Sequence, residues 1–225
     1  MRPLRSSYAY PQRFVALRRM MFVCTARRTC YTAKSTALQQ DSAASGGFFV
    51  EIDIRRAAQE DLDAAEQLYN DVCSALEAGT TGPAGGQGVY PTRTDARRAQ
   101  AAGALYLAWD GARAIGSMVL NHDADPDYAQ VPGWGPDADW PHLLLIHTLA
   151  VHPAYQGRGL ARRLLAHAEV LARQSGMRAL RLDVCVGNVP AIRLYEQCGF
   201  ACAGTAEMHF CVGTVDPCRL YEKTL

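Results

Sequence analysis

The sequence predicts an α/β (α+β) fold in which a mixed central sheet is flanked by helices. Apolar residues recur with the period of a strand in some segments and with the period of a helix in others. These segments follow the order β-α-α-β-β-β-α-β-α-β-β, which is typical of such a sheet. With 225 residues, 49% of them hydrophobic and 20% charged, the chain is long enough to form one well-buried core.

A basic segment, residues 1–46, precedes the predicted domain. Its first 40 residues contain eight Arg and Lys side chains and no Asp or Glu, and it ends in Ser, Ala and Gly residues. The segment resembles an organelle transit peptide, or else it is a disordered extension without a structural role. The lack of a sustained amphipathic helix favours the extension. We therefore expect one domain over residues 47–225 in the cytoplasm, or in an organelle matrix if the segment is a transit peptide.

The first half of the domain is predicted to contain one strand, two helices and a hairpin. Strand residues alternate in polarity, helix residues repeat apolar side chains every three or four positions, and Asp110-Gly111 marks a tight hairpin turn. The predicted elements are a strand at 49–55, a helix at 60–76, a Gly-rich loop at 79–90, a short helix at 95–102 and hairpin strands at 105–109 and 114–120.

The second half begins with a long insertion, residues 121–141, which contains five Asp and two Trp residues. A buried strand follows the insertion, and Pro153 stops it. The predicted elements after the insertion are this strand at 142–151, an amphipathic helix from residue 160, a strand at 180–186, a helix at 188–197 and two closing strands.

Charge and cysteine content exclude several classes of protein. The formal net charge is +1, but the chain after residue 40 has 15 basic and 22 acidic side chains, so nucleic acid is not an expected partner of the domain. The eight Cys residues form no C-x-x-C pair and no Cys/His metal spacing, which predicts no metal site and a reducing compartment. No segment approaches the roughly 20 apolar residues of a membrane span, so we expect no membrane partner. A homodimer is left open.

The turn Gln156-Gly157-Arg158-Gly159-Leu160-Ala161 lies between a predicted buried strand and an amphipathic helix. Glycines permit unusual backbone dihedrals and close approach of a ligand, while the free N–H groups and the dipole of a helix N-terminus attract phosphate. The spacing is not that of a P-loop, and the third glycine of a dinucleotide-binding fingerprint is missing. The alternative is a helix start that merely needs small residues for packing.

Two stretches of the chain resemble the GNAT N-acetyltransferase superfamily. In residues 149–165, Gln156, Gly159 and Ala161 match the family's acetyl-CoA motif of Gln or Arg, two residues, Gly, one residue, and Gly or Ala. In residues 188–200, an Asn, a helix, a Tyr and a Gly-Phe pair are similar to its second motif. The likeness extends weakly over residues 50–223. It implies the GNAT acyl-CoA N-acyltransferase fold and the use of acetyl-CoA as cosubstrate.

The resemblance also implies which residues bind acetyl-CoA. The main chain of Leu149, Ala150 and Val151 would pair with the pantetheine arm like an added strand. The turn at 156–161 would hold the pyrophosphate, with Arg158 adding a charge-assisted contact. Asn188 would contact the cofactor, or cap its helix, or do both.

Transfer to an amine needs an acid for the departing thiolate and a base for the attacking ammonium. Tyr195 lies two helical turns after Asn188, so both can point at the cofactor, and its phenol suits the acid. The alternative for Tyr195 is a tyrosine that packs in the core.

For the base we favour His147, because strand alternation places it on the same face as Leu149 and Val151. The segment I-H-T-L-A-V-H-P also resembles the arylalkylamine acetyltransferases, in which a histidine at this place is implicated. The alternative is a hydrogen-bonded core histidine.

Two loops are expected to form the acceptor pocket. The acids of the insertion, with Trp134 and Trp140, suit a cationic amine through charge attraction and cation–π contact. Tyr90, after the Gly-rich loop, is a second candidate wall, and a solvated acidic loop is the alternative for the insertion.

We therefore expect an enzyme that acetylates a primary amine of a small molecule by direct attack in a ternary complex. An acetyltransferase of protein N-termini or lysines, and a non-catalytic acyl-CoA-binding module, remain the alternatives.

Overall fold

A computed structural model describes residues 52–78, 90–135, 140–209 and 215–225. The predicted N-terminal extension, the start of the first strand and most of the Gly-rich loop lie outside the described residues. The elements are β1 Asp53–Arg56, α1 Leu62–Ala78, α2 Arg93–Ala101, β2 Leu105–Asp110, β3 Arg113–Asn121, β4 Leu143–Val151, α3 Leu160–Gln174, β5 Ala179–Cys185, α4 Val189–Gln197, β6 Ala201–His209 and β7 Val215–Thr224. Their order is the predicted one, and their ends differ from the prediction by a few residues.

The strands form one seven-stranded sheet in the order β1-β2-β3-β4-β5-β7-β6. Neighbouring strands are antiparallel except β4 and β5, which are parallel and connected through α3. The predicted mixed sheet with flanking helices is therefore confirmed.

One face of the sheet is covered by α3 and α4. The helix α3 buries Leu160, Leu164, Leu165, Ala168 and Ala172, which recur at helical spacing and therefore form one stripe. This stripe packs with apolar residues from β2 to β5, β7 and α4 in the largest core cluster. Because all the buried residues of α3 are apolar, the periodicity of apolar residues in the sequence was enough to predict this helix.

The other face is divided between two coverings. Helices α1 and α2 pack over β2 and β3, whereas the insertion packs over β4 to β7 through Tyr128 and Val131. Within its described residues, the insertion contains a short 3-10 turn at Pro126–Gln130, and a second one, Trp140–His142, leads from it into β4. Near Asn121, at the end of β3, residues of α2 and of the insertion line one cavity.

None of the helices in the part of the chain that the structure describes is long and apolar enough to cross a membrane. Within the same residues, no group of three or more His, Cys, Asp or Glu side chains is arranged to hold a metal ion.

Candidate active site

The strands β4 and β5 pair only at their beginnings. The register joins Leu143 to Ala179, Leu144 to Leu180 and Leu145 to Arg181, and it ends there although β4 continues to Val151. Beyond these three pairs the two parallel strands separate. The sheet therefore has a gap in its middle, and one side of β4 is left with an unpaired backbone edge.

The backbone groups of Leu149 and Val151 point toward this gap. Their neighbours are directed to β3, because the Thr148 carbonyl accepts a hydrogen bond from Ser117 Oγ (3.2 Å) and the His152 N–H donates to the Ile115 carbonyl (2.9 Å). Successive residues of a strand point their N–H and C=O groups to opposite sides. The gap thus has the free hydrogen-bonding edge that an extended amide chain can join.

Ala150 differs from its two neighbours. Its main chain is directed to β3 and away from the gap, as is that of His152 two residues later, and its side chain packs on the α1/α2 face. The Val151 carbonyl accepts a hydrogen bond from Gln156 Nε2 (3.4 Å), which connects the gap to the turn that follows. Of the three β4 residues predicted to bind the pantetheine arm, two present backbone groups to the gap.

The turn at 156–161 exposes its backbone beside the start of α3. Gly157 and Gly159 have φ values of 72° and 78°, which L side chains rarely adopt, and Gly159 directly precedes the helix that begins at Leu160. A Cβ built on either glycine would have no atom within 4 Å. Arg158 is exposed, with its guanidinium 5.3 Å from the centre of the Tyr155 ring. The turn therefore offers N–H groups, a helix dipole and one cation to an anion.

Asn188 directly precedes the helix α4, and Tyr195 lies within it. Asn188 Oδ1 accepts a hydrogen bond from the Ala191 N–H (3.3 Å), so Asn188 caps the helix. Tyr195 is fully buried between Phe200 and Tyr221, with ring centres 6.0 and 6.3 Å away. Burial raises the pKa of Tyr195 well above its ordinary value, and the phenol therefore keeps its proton at neutral pH.

A bulge at Thr148 changes which way His147 faces. Thr148 has a φ of 49°, and the β3/β4 register shifts at this point. Leu149 and Val151 pack on the α3/α4 face, whereas His147 lies beside Val119 on the face covered by α1 and α2. The expectation that His147 shares a face with Leu149 and Val151 is therefore wrong, because the bulge interrupts the alternation on which it depended.

His147 lines a small cavity between β4, β3 and α2. His147 Nε2 lies 2.9 Å from Asn121 Oδ1, and because an amide oxygen can only accept, a hydrogen bond between them requires the imidazole proton on Nε2. Tyr90 also lines the cavity, and its hydroxyl lies 2.6 Å from Thr148 Oγ1. The structure thus brings together two residues that the sequence singled out separately, Tyr90 and His147. Tyr69 of α1 and Asp95 of α2 also line the cavity, on the side of the two helices.

The two tryptophans of the insertion lie elsewhere. The Arg181 guanidinium lies 4.2 Å from the centre of the Trp134 ring and 5.4 Å from that of Trp140. Arg181 also donates to Glu222 Oε2 (2.7 Å). Neither tryptophan lines the His147 cavity, so their role in an acceptor pocket stays a prediction. A cation of the protein itself occupies the cation–π position that was expected for the substrate.

Several cavity residues were not found from the sequence. Asn121 and Thr148 carry no motif of their own. Asp95 belongs to the capping box Thr92-x-x-Asp95, which indicates only a helix start. The positive φ of the β-branched Thr148 has no sequence signal at all, since such residues rarely adopt it.

Comparisons with known proteins lead to acetyltransferases. The family model described as "Acetyltransferase (GNAT) family" matches residues 65–200. The chain is 40% identical to a streptothricin acetyltransferase of Streptomyces lavendulae over 65 residues, which cover 29% of this chain and 34% of that protein. It is 33% identical to an L-methionine sulfoximine/L-methionine sulfone acetyltransferase of Salmonella typhimurium over 108 residues, 45% of this chain and 60% of the relative. The chain thus spans between a third and three fifths of these relatives.

One solved structure extends the similarity to the fold. The yncA protein of Salmonella typhimurium, solved with its cofactor acetyl-CoA, superposes with a TM-score of 0.54 over 77% of this chain and 94% of that one, at 19% sequence identity.

Proposed function

Because the chain belongs to the acetyltransferase (GNAT) family, we propose that it moves an acetyl group from acetyl-CoA to a primary amine of a small molecule. The observation that carries the proposal is the gap between β4 and β5, which has the His147 cavity on one face of β4 and buried Tyr195 on the other. An acetyl group in the gap would be reached from the cavity side, and its leaving group would depart toward Tyr195.

The residues around the gap fit acetyl-CoA. The backbone of Leu149 and the Val151 N–H, on the edge of β4 that β5 does not pair, can hydrogen-bond the amides of an extended pantetheine arm. The open positions at Gly157 and Gly159 allow a pyrophosphate to approach the main chain, where N–H groups and the α3 dipole stabilise its charge. When bound, acetyl-CoA supplies the activated acetyl group as a thioester.

His147 is proposed to remove the proton of the attacking amine. When the imidazole directs an Nε2 proton to Asn121 Oδ1, the other ring nitrogen is the basic one of the neutral ring. The amine nitrogen then forms the C–N bond while the C–S bond breaks. Tyr195 gives its phenolic proton to the departing sulfur. The raised pKa of the phenol ensures that it carries this proton before the reaction.

Thiol release in the presence of acetyl-CoA and a panel of short aliphatic amines, arylalkylamines, amino acids and peptides tests the proposal. We expect turnover with small amines, and a loss of about 10²- to 10⁴-fold in kcat for His147→Ala and for Tyr195→Phe. The matched controls are His167→Ala, on α3 and away from the cavity, and Tyr221→Phe, a buried tyrosine in the same core.

Three results would count against the proposal. Turnover confined to peptides would indicate an acetyltransferase of proteins. Normal acetyl-CoA binding without turnover on any amine would indicate an acyl-CoA-binding module. Equal losses in the variants and in their controls would remove the assigned roles of His147 and Tyr195.

A further inference from the structure

One of the residues that line the His147 cavity has a carboxylate oxygen without a partner. Asp95 lines the cavity, and its Oδ2 accepts hydrogen bonds from the N–H (2.9 Å) and the hydroxyl (2.7 Å) of Thr92. Its Oδ1 is buried, yet it has no hydrogen-bond partner among the described residues. A buried acceptor without a partner costs about 1–3 kcal/mol, so native proteins rarely keep one without a reason.

The capping role of Asp95 does not explain its second oxygen. One oxygen is enough to accept from Thr92, and an Asn at this position would cap the helix as well. The residue that carries this unused acceptor lines the cavity that also holds His147. A donor brought by the substrate would satisfy it.

The rest of the lining indicates what kind of molecule carries that donor. Two acids, Asp95 and Asp123, face one base, Arg98, so the formal charge of the lining is negative. Small apolar side chains form another part of the wall, where methylene groups can pack: Ala99, Ala102, Ala104 and Val119. The volume of about 80 Å³ compares with about 10–15 Å³ for one water by the same measure, which limits the ligand to a short chain.

We propose that the acceptor is a short aliphatic diamine, of which one amine reacts near His147 while the second, as an ammonium, is bound by Asp95 Oδ1. This inference rests on the proposed acetyltransferase function and names the specificity-determining residue for it. A second ammonium is favoured over a methyl group because it gives the buried oxygen a charge-assisted hydrogen bond. A terminal carboxylate is disfavoured because it would meet Asp95 with like charge.

Three amines of matched length test the inference: 1,3-diaminopropane, n-butylamine and 4-aminobutanoate. They present the same reacting amine and differ only in an ammonium, a methyl or a carboxylate at the other end. The measurement is kcat/KM for each with saturating acetyl-CoA. We expect the diamine to exceed butylamine by about 10-fold or more, as a hydrogen bond to a charged group predicts, and aminobutanoate to be the poorest.

Asp95→Asn is the decisive variant, because the amide oxygen can still accept from Thr92 while an NH₂ group replaces the unused acceptor. We expect it to reduce the preference for the diamine over butylamine by about 10-fold or more. Thr92→Val is the matched control: it removes hydroxyl contacts of the cap but leaves the charge, so the preference is retained even if stability falls.

A second variant keeps the test informative if Asp95→Asn does not fold. Ala102 is exposed and lines the cavity, so Ala102→Lys adds a cation at its edge without replacing Thr92 or Asp95. It is expected to lower kcat/KM for the diamine several-fold more than for butylamine, whereas the neutral Ala102→Gln affects both alike.

The outcomes separate this inference from the proposed function. An unchanged diamine preference in Asp95→Asn, or aminobutanoate as the best of the three amines, overturns the role of Asp95 while leaving the acetyltransferase intact. Turnover on peptides with none of the three amines overturns the proposed function and the inference together.

Discussion

Substitution of the turn glycines by alanine separates backbone strain from loss of cofactor binding. Gly157, Gly159 and Gly176 have φ values of 72°, 78° and 70°, and a Cβ on any of them would meet no atom within 4 Å. Alanine therefore costs only left-handed strain, about 1–2 kcal/mol at each site. For a domain of this size we expect the melting temperature to fall by roughly 2–8 °C in all three variants.

The same three variants should differ in their affinity for CoA. Gly157 and Gly159 lie at the start of α3, whereas Gly176 lies just after its end. A methyl group at the first two sites would hold the pyrophosphate away from the main chain and weaken one charge-assisted hydrogen bond or more. We expect the Kd of CoA to rise about 10-fold in Gly157→Ala and Gly159→Ala and to stay unchanged in Gly176→Ala.

Isothermal titration calorimetry with CoA measures this difference without knowledge of the acceptor, and thermal unfolding checks that the strain is matched. The reasoning would be refuted by an equal loss of CoA affinity in Gly176→Ala, or by unchanged affinity in both turn variants.

Three further predictions concern stability. Gly133→Ala would place a methyl group against the Ala203 carbonyl oxygen, so we expect a loss of about 3 kcal/mol in urea unfolding. The hydrogen bond from Arg55 lowers the pKa of Asp61 below its ordinary 3.8. The ionised Asp61 therefore contributes to the free energy of unfolding above that pH, and this contribution is lost as the pH falls further. Asp61→Asn should therefore be less stable than the parent at about pH 7 and equal to it near pH 2. Arg181→Met leaves the buried Glu222 carboxylate without its ion-pair partner, so we expect a loss of about 3–5 kcal/mol in the free energy of unfolding. A second substitution that neutralises Glu222 should recover part of this loss.

Much of the fold could be predicted because its elements are locally encoded. The stripe of α3, the Asp110-Gly111 turn and the alternation of β2 and β3 are set by residues within a few positions of one another. The same holds for the turn at 156–161, where two glycines between a strand and a helix place an exposed backbone at the α3 N-terminus.

The acceptor side could be predicted only in part. Tyr90 and His147 were identified singly, and the direction of His147 was wrong, because alternation assumes a regular strand and Thr148 interrupts it. The tryptophans of the insertion were assigned to the substrate because the pattern of acids and aromatic rings does not reveal that Arg181, about 40 residues later, lies between them.

The sequence by itself determined the order of the elements, the mixed sheet and the turn at the start of α3, since each depends on short-range periodicity or on glycines at fixed spacing. Only the tertiary structure decided where β4 leaves β5, how Tyr90 reaches Thr148 across 58 positions and which carboxylate oxygen of Asp95 stays unpaired. The physical reason is that a bulge, a cavity and an unsatisfied buried acceptor each result from packing between distant segments.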